Sequence, residues 1–393
     1  MVNVCFYFQV HQPHRLRHYS FFEIGNSHFY HDEDANGRIM QKVAQKCYLP
    51  ANRLMLELID RYEGKFKIAY SISGTAIEQF KKFSPETLES FKDLAKTGCV
   101  EFINETYYHS LSFMFSPEEF KDQILLHRNM ILDEFNQNPT TFRNTELIYN
   151  NALASFIEGL GYKTILTEGA DKILDWRSPN FVYQPQTCSR LKLLLKNYKL
   201  SDDIAFRFSN KGWSEYPLTA EKYASWVHNI NGSGETVNLF MDYETFGEHQ
   251  WRDTGIFEFM RYLPAEILKN RDFAFATPED ISYSIPPLAK LDVPDFISWA
   301  DLERDLSAWM GNSMQKDALE YVFSLEKQIN AAQNESLTNI WRSLQTSDHF
   351  YYMCTKWFSD GDVHKYFNPY GTPYDAYINF TNITKDLELS LAS

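Results

Sequence analysis

The stretch Val237-Asn-Leu-Phe-Met-Asp-Tyr-Glu-Thr-Phe-Gly-Glu248 runs an apolar segment straight into two carboxylates. Val237, Leu239, Phe240 and Met241 form the near-continuous apolar run of a strand buried on both faces, and Asp242 and Glu244 fall where it should end. In parallel α/β architectures, ligands and chemistry collect at the carboxyl ends of strands, so acids there point to function more than acids on a helix surface do. An Asp in that place can equally be a helix N-cap, and the rest of the chain bears on the choice.

Working outward, the same pattern recurs. Val4 to Val10 is apolar and aromatic and stops at His11-Gln-Pro-His14, because Pro13 cannot donate to a ladder. Lys67 to Ile72 reads as a strand, and Cys99 to Ile103 as another, running into Asn104-Glu-Thr-Tyr-Tyr-His109. Thr141 to Leu147 reads as a strand carrying Glu146 at its end. Leu153, Phe156, Ile157 and Leu160 then follow at helical spacing, Gly161 stops that helix, and Lys163 to Thr167 returns as a strand closed by Glu168. That is a β-α-β unit with parallel strands.

Helices are expected from Ala51 to Tyr62, from the cap Ser84 with Pro85, and from Ser116-Pro-Glu-Glu119, where Glu119 completes a capping box. Residues 15 to 50 read as a long polar excursion, and short strands are expected near Arg190 to Leu195 and Ile204 to Phe208. Pro286-Pro287 and Pro294 mark a boundary. Beyond it Leu302, Leu306, Trp309 and Met310 share one helix face, and Leu319, Val322, Phe323 and Ile329 share a second. The division expected is a barrel domain over 1–294 and a helical region over 295–393.

The 393 residues suffice for one large α/β domain with an appendage. A net charge of -14 and a pI near 5.3 argue against nucleic acid and anionic membranes as partners. Five widely spaced cysteines without a C-x-x-C pair suggest reduced, mostly buried thiols. The chain opens directly on a strand pattern, and no stretch nears the ~18 apolar residues of a membrane span, so a cytoplasmic protein is expected. Aromatics reach 16%, which suits stacking on sugars but also suits a core.

Collected, the strand-end residues are His11, Glu105, His109, Glu146, Asp242 and Glu244, all acids or histidines. A G-x-S-x-G elbow, a Gly-rich phosphate loop and an H-E-x-x-H helix are missing from the sequence, so acyl transfer, nucleotide chemistry and zincin-type hydrolysis lack their residues. Paired carboxylates suit cleavage of an acetal. One acid protonates the departing oxygen, and one carboxylate attacks or stabilises the anomeric carbon.

At these residues the chain resembles glycoside hydrolase family 57, the α-amylase and 4-α-glucanotransferase family. Five regions carry the resemblance in order: Phe8-Gln-Val-His-Gln-Pro13; Gly98-Cys-Val-Glu-Phe with Tyr107-Tyr-His109; Thr145-Glu-Leu-Ile-Tyr149; Asp242-Tyr-Glu-Thr-Phe-Gly247; and Ala300 to Trp309, the last as in the bacterial α-amylase-like branch. The resemblance implies an incomplete (β/α)7 barrel with a helical C-terminal part, no cofactor or metal, and a retaining mechanism on α-glucans or maltooligosaccharides. It implies Glu146 as nucleophile and Asp242 as acid/base, with His11, His109, Glu105, Glu244, Trp299 and Trp309 around the sugar. The chain departs from the family pattern at Asn144, Leu147 and Ile148 in the third region and at Tyr243 and Thr245 in the fourth. These departures bear on hydrolysis against glucanotransfer or branching. A metal-dependent sugar deacetylase would need an acid where Gln12-Pro13 stands, and a glucan-binding protein would keep the cleft without turnover.

Overall fold

The computed structural model describes residues 1–356 and 368–392. Its strands are β1 (Val2–Val10), β2 (Ile68–Ile72), β3 (Val100–Phe102), β4 (Thr141–Arg143), β5 (Thr164–Glu168), β6 (Tyr183–Pro185), β7 (Lys192–Lys196), β8 (Thr236–Asp242), β9 (Phe273–Phe275) and β10 (Ala289–Leu291). In the first sheet β8 takes one edge of β1, β2 takes the other, β9 pairs with the start of β1, and β3 follows β2. In the second, β4, β5 and β7 run parallel, with β6 and β10 outside them.

Two seams join the sheets. Asn104, just past β3, donates its N–H to Thr141 O at 3.1 Å and accepts from Arg143 N at 2.9 Å. Asn197, just past β7, donates its N–H to Asn238 O of β8 at 2.9 Å, and the Asn238 amide returns to Leu195 O at 2.9 Å. Seven parallel strands thus close a ring that is fully laddered except at these seams. The architecture is an incomplete (β/α)7 barrel with helices packed outside it.

Period-two alternation sends Cys5, Tyr7, Ala69, Leu166, Leu194 and Phe240 into the barrel, and Phe6, Phe8, Ile68, Tyr70, Leu239 and Met241 outward against helices. One step further toward the carboxyl ends, hydrocarbon gives way to polar groups: Gln9, Ser71, Glu168, Lys196 and Asp242. The register aligns Gln9 with both Ser71 and Asp242, and Glu168 with Lys196. A single polar layer therefore caps the apolar interior.

The β-α-β reading holds, since β4 and β5 are parallel around the helix Asn151–Gly159. Four differences from the sequence reading have local causes. The strand expected to reach Leu147 ends at Arg143, because Glu146 and Leu147 turn into the left-handed region at φ 57° and 50°. Ile204 to Phe208 is not a strand but part of a π-helical turn over Asp203–Arg207; Ile204 and Phe208 are buried together at helical spacing. Leu302 does not share a helix face with Leu306, Trp309 and Met310, because positive φ at Asp301 and Arg304 delays the helix to Ser307–Met310 and leaves Leu302 71% exposed. Glu119 completes no capping box: Ser116 Oγ accepts from Glu119 N at 3.2 Å, but the Glu119 carboxylate is claimed by Arg342 at 2.9 Å.

Residues 15 to 50 hold more order than expected, with a helix over Glu33–Val43 capped by Asp32. After Ser307, helices build a second core around Trp309 and Trp341, which also takes in Leu16, Tyr19 and Tyr30 from that excursion. Residues 357–367 of the expected helical region lie outside the described residues. Cys5, Cys47, Cys99 and Cys188 are buried free thiols, and Cys354 is half-buried. No helix among the described residues is long and apolar enough to cross a membrane.

Candidate active site

A cleft of about 1170 Å³, open to solvent, lies over the polar layer. Glu146, Asp242, His11, His109, Glu244, Trp299 and Trp309 all line it, although they come from five separate stretches of chain. Glu105 alone of the expected residues does not; it is fully buried beneath His109.

Glu146 is held on the cleft wall by donors to both carboxyl oxygens. The Trp299 indole N–H donates to its Oε2 at 2.7 Å, and His109 Nε2 and the Ser347 hydroxyl each reach its Oε1 at 3.3 Å. Its left-handed backbone is pinned as well, since Trp299 N donates to Glu146 O at 3.2 Å. A strained backbone with donors on both carboxyl oxygens is how a fold over-determines one side-chain position. Asp242 enters from β8, facing inward two residues beyond Phe240.

Charge is relayed to Glu146 from below. Glu105 Oε1 accepts from Gln9 Nε2 at 3.1 Å and from the Ser71 hydroxyl, and its Oε2 accepts from His109 Nδ1 at 2.7 Å. Burial opposes charging His109, but the carboxylates of Glu105 and Glu146 outweigh it and hold the imidazolium up at about 9. Burial likewise opposes ionising Glu105, yet His109, Arg143 and His127 hold it well below the carboxylate range. His109 therefore donates from both nitrogens at neutral pH.

The His11 ring stacks on His109 with centroids 4.0 Å apart. Burial first, then the charge on His109, pushes the His11 pKa down, against the pull of Asp348. A neutral His11 donates from Nε2 to Asp348 at 2.9 Å and accepts at Nδ1 from Ser73 at 2.8 Å. Protein groups thus engage both nitrogens of both imidazoles.

Glu244 behaves oppositely to Glu105. Burial, then the neighbouring Asp242 charge, pushes it up to about 8 despite hydrogen bonds from Tyr48 and from Gln12 at 3.4 Å, so it is a neutral acid at pH 7. Tyr243, between the two acids, points away into the core, where its hydroxyl donates to Asn52 Oδ1 at 2.8 Å and accepts from Tyr70 at 3.0 Å.

Sequence reasoning missed Asp348, Ser347, Arg143 and Lys196. Lys196 ends a strand and was open to the same rule as Asp242. Ser347 and Asp348 sit at a helix start far along the chain and carry no comparable signal. Trp299 and Trp309 differ: Trp299 bonds the acid, whereas Trp309 is packed into the helical core with its indole N–H unpartnered among the described residues. Among the described residues, no group of three or more His, Cys, Asp or Glu side chains is arranged to hold a metal ion.

A family model described as glycosyl hydrolase family 57 matches residues 5–294. A Methanocaldococcus jannaschii protein bearing the name "Putative alpha-amylase" is 47% identical over 98% of this chain and 84% of its own length. Among solved structures, the 4-alpha-glucanotransferase of Thermococcus litoralis superposes with a TM-score of 0.67 at 14% identity, covering 89% of this chain. This chain spans only 56% of that enzyme's length. The alpha-amylase AmyC of Thermotoga maritima gives 0.62 at 12% identity, covering 100% of this chain and 97% of its own.

Proposed function

This chain belongs to glycosyl hydrolase family 57, and from that premise we propose that it hydrolyses α-1,4-glucans in the manner of an α-amylase, with Glu146 as nucleophile and Asp242 as acid/base. The observation that carries this reading is the carboxylate of Glu146 held by Trp299, His109 and Ser347 on the wall that Asp242 also lines. A nucleophile must be ionised and fixed, and three donors, one of them charged, favour both.

In the first step Glu146 attacks the anomeric carbon while Asp242 gives its proton to the departing glycosidic oxygen, leaving a glycosyl-enzyme and a free chain end. In the second, Asp242 takes a proton from water, the oxygen of that water bonds to the anomeric carbon, and Glu146 departs as carboxylate. His109 and Trp299 stabilise the carboxylate in its ionised stages. The name borne by the Methanocaldococcus jannaschii relative favours hydrolysis; glucanotransfer would use the same two residues with a sugar hydroxyl in place of water. A metal-dependent deacetylase is disfavoured by the buried Gln12, whose amide bonds Tyr48 and Glu244 where an acid would be needed.

Incubation with maltoheptaose tests the reaction. Shorter oligomers from the outset are expected, and early products longer than seven glucoses would replace hydrolysis by transfer. NMR of the first reducing ends should show the α-anomer, and the β-anomer would overturn double displacement. Glu146→Gln and Asp242→Asn should each lower kcat by several orders of magnitude in a folded protein.

A further inference from the structure

Two cations of the barrel wall lie over the Trp299 ring. Arg143 Cζ is 5.0 Å and Lys196 Nζ 5.4 Å from its centroid. Arg143, the last residue of β4, is fully buried, and none of its three guanidinium nitrogens has a hydrogen-bond partner among the described residues. Glu105 Oε2 lies 3.7 Å away. Burying a guanidinium without hydrogen bonds is costly, so a placement against an aromatic face calls for a reason beyond packing.

Lys196 is anchored from the other side. Its ammonium lies 3.0 Å from Asp202 and 3.6 Å from Glu168. Arg304 joins Glu168 at 3.8 Å and Asp202 at 3.5 Å and donates to Trp299 O. The segment carrying Trp299 is thereby tied to the ends of β5 and β7. From that segment the Trp299 indole N–H reaches Glu146 Oε2 at 2.7 Å.

We propose that Arg143 and Lys196 are positioning residues for catalysis: they hold the Trp299 indole with its N–H on Glu146 and, through that ring, keep the carboxylate ionised and aimed. This rests on Glu146 being the nucleophile. A cation against the π face draws density from the indole and strengthens its N–H as a donor, and both positive charges favour the ionised carboxylate directly. Because the clamp is built before the substrate arrives, charge returning to Glu146 when water releases the sugar meets donors already in place.

The titratable and charged groups of the cleft and the layer beneath it are His11 and Arg15 after β1, Glu105 and His109 after β3, Arg143 on β4, Glu168 on β5, Lys196 on β7 with Asp202 beyond it, Asp242 on β8 with Glu244 and His249 after it, Asp301 and Arg304 on the Trp299 segment, and Asp348 on the helical side. Arg143 and Lys196 are the two of these that lie over the Trp299 ring.

The test is the pH profile of kcat/KM on maltoheptaose with the full chain, whose acid limb follows ionisation of the nucleophile. Lys196→Met should move that limb up by about one pH unit and lower kcat about tenfold with little change in KM, and Lys196→Arg should restore the limb. Trp299→Phe, which keeps a ring but loses the N–H, should move it the same way. A stationary limb in Lys196→Met, or one that Lys196→Arg does not restore, overturns the proposal; should Lys196→Met not fold, a stationary limb in Trp299→Phe does so. Azide added to Glu146→Ala separates this from the assignment beneath it. A β-glycosyl azide product sustains Glu146 as nucleophile whatever the clamp does, and wild-type turnover by Glu146→Ala would overturn both.

Discussion

Replacing Glu105 by Gln removes one charge and almost no volume at the base of the relay that reaches Glu146. The Gln carbonyl can still accept from Gln9 and Ser71, as the carboxylate does. Its amide would face His109 Nδ1, so the imidazole would turn neutral, accept there, and keep only its Nε2–H toward Glu146. The pKa of His109 stands at about 9 against an ordinary 6.5. That gap, at about 1.4 kcal/mol per pH unit, amounts to about 3 kcal/mol of folding stability.

Because the folded-state pKa is raised, this contribution is complete below about pH 6.5 and is lost as pH rises through about 9. Glu105 itself has a depressed pKa, so its contribution is present above its unfolded value and disappears only in acid, outside this window. In urea unfolding of the wild type between pH 6 and 10, His109 should therefore contribute a fall of about 3 kcal/mol, on top of what the raised carboxyls Glu244 and Glu101 lose below about pH 8, and Glu105→Gln should remove the His109 share of that slope. At pH 6 the variant should be less stable by about 3 to 5 kcal/mol, the range for breaking a buried ion pair. Parallel slopes for the two proteins would refute the relay.

Further predictions follow from other contacts. Glu244 acts on stability in the same sense as His109 and the opposite sense to Glu105: its pKa of about 8 lies above the ordinary 4.5, so stability falls as pH rises from about 5 to 8, and Glu244→Gln should be more stable than wild type above pH 8 by a few kcal/mol. Calorimetry at pH 5 and pH 8.5 checks this, and a loss at both would contradict it. Tyr243→Phe should cost about 1 to 2 kcal/mol through the unpaired Asn52 carbonyl while leaving kcat/KM unchanged, because that hydroxyl points into the core. Arg342→Met leaves the buried Glu119 carboxylate without its paired guanidinium and should cost about 3 to 5 kcal/mol in denaturant titration.

Much of the barrel is visible in the sequence because strand alternation and helix stops are local. The run Val237 to Met241 is apolar whichever strands flank it, and Gly161 stops its helix without help from distant residues. Where distant partners decide, local pattern misleads. Ile204 to Phe208 has the composition of a strand, yet its apolar residues are buried at helical spacing on the barrel's outer core. Glu119 has the position of a capping-box acid, yet a guanidinium more than two hundred residues away offers it a stronger bond.

The site divides in the same way. The sequence by itself determined that acids and histidines would stand at strand ends, and which acids they were, since a strand of alternating faces must stop somewhere and its first inward polar residue marks the place. Only the tertiary structure decided what each acid became. Glu105 and Glu244 are both buried carboxyls next to the cleft floor, but Glu105 meets His109 and Arg143 and stays charged, whereas Glu244 meets a phenol, an amide and the charge of Asp242 and keeps its proton. Ser347, Asp348 and Trp299 reach the cleft from the far end of the chain, which no periodicity encodes. Protonation is set by the sum of burial and neighbouring charge, and those neighbours exist only once the ring of strands has closed.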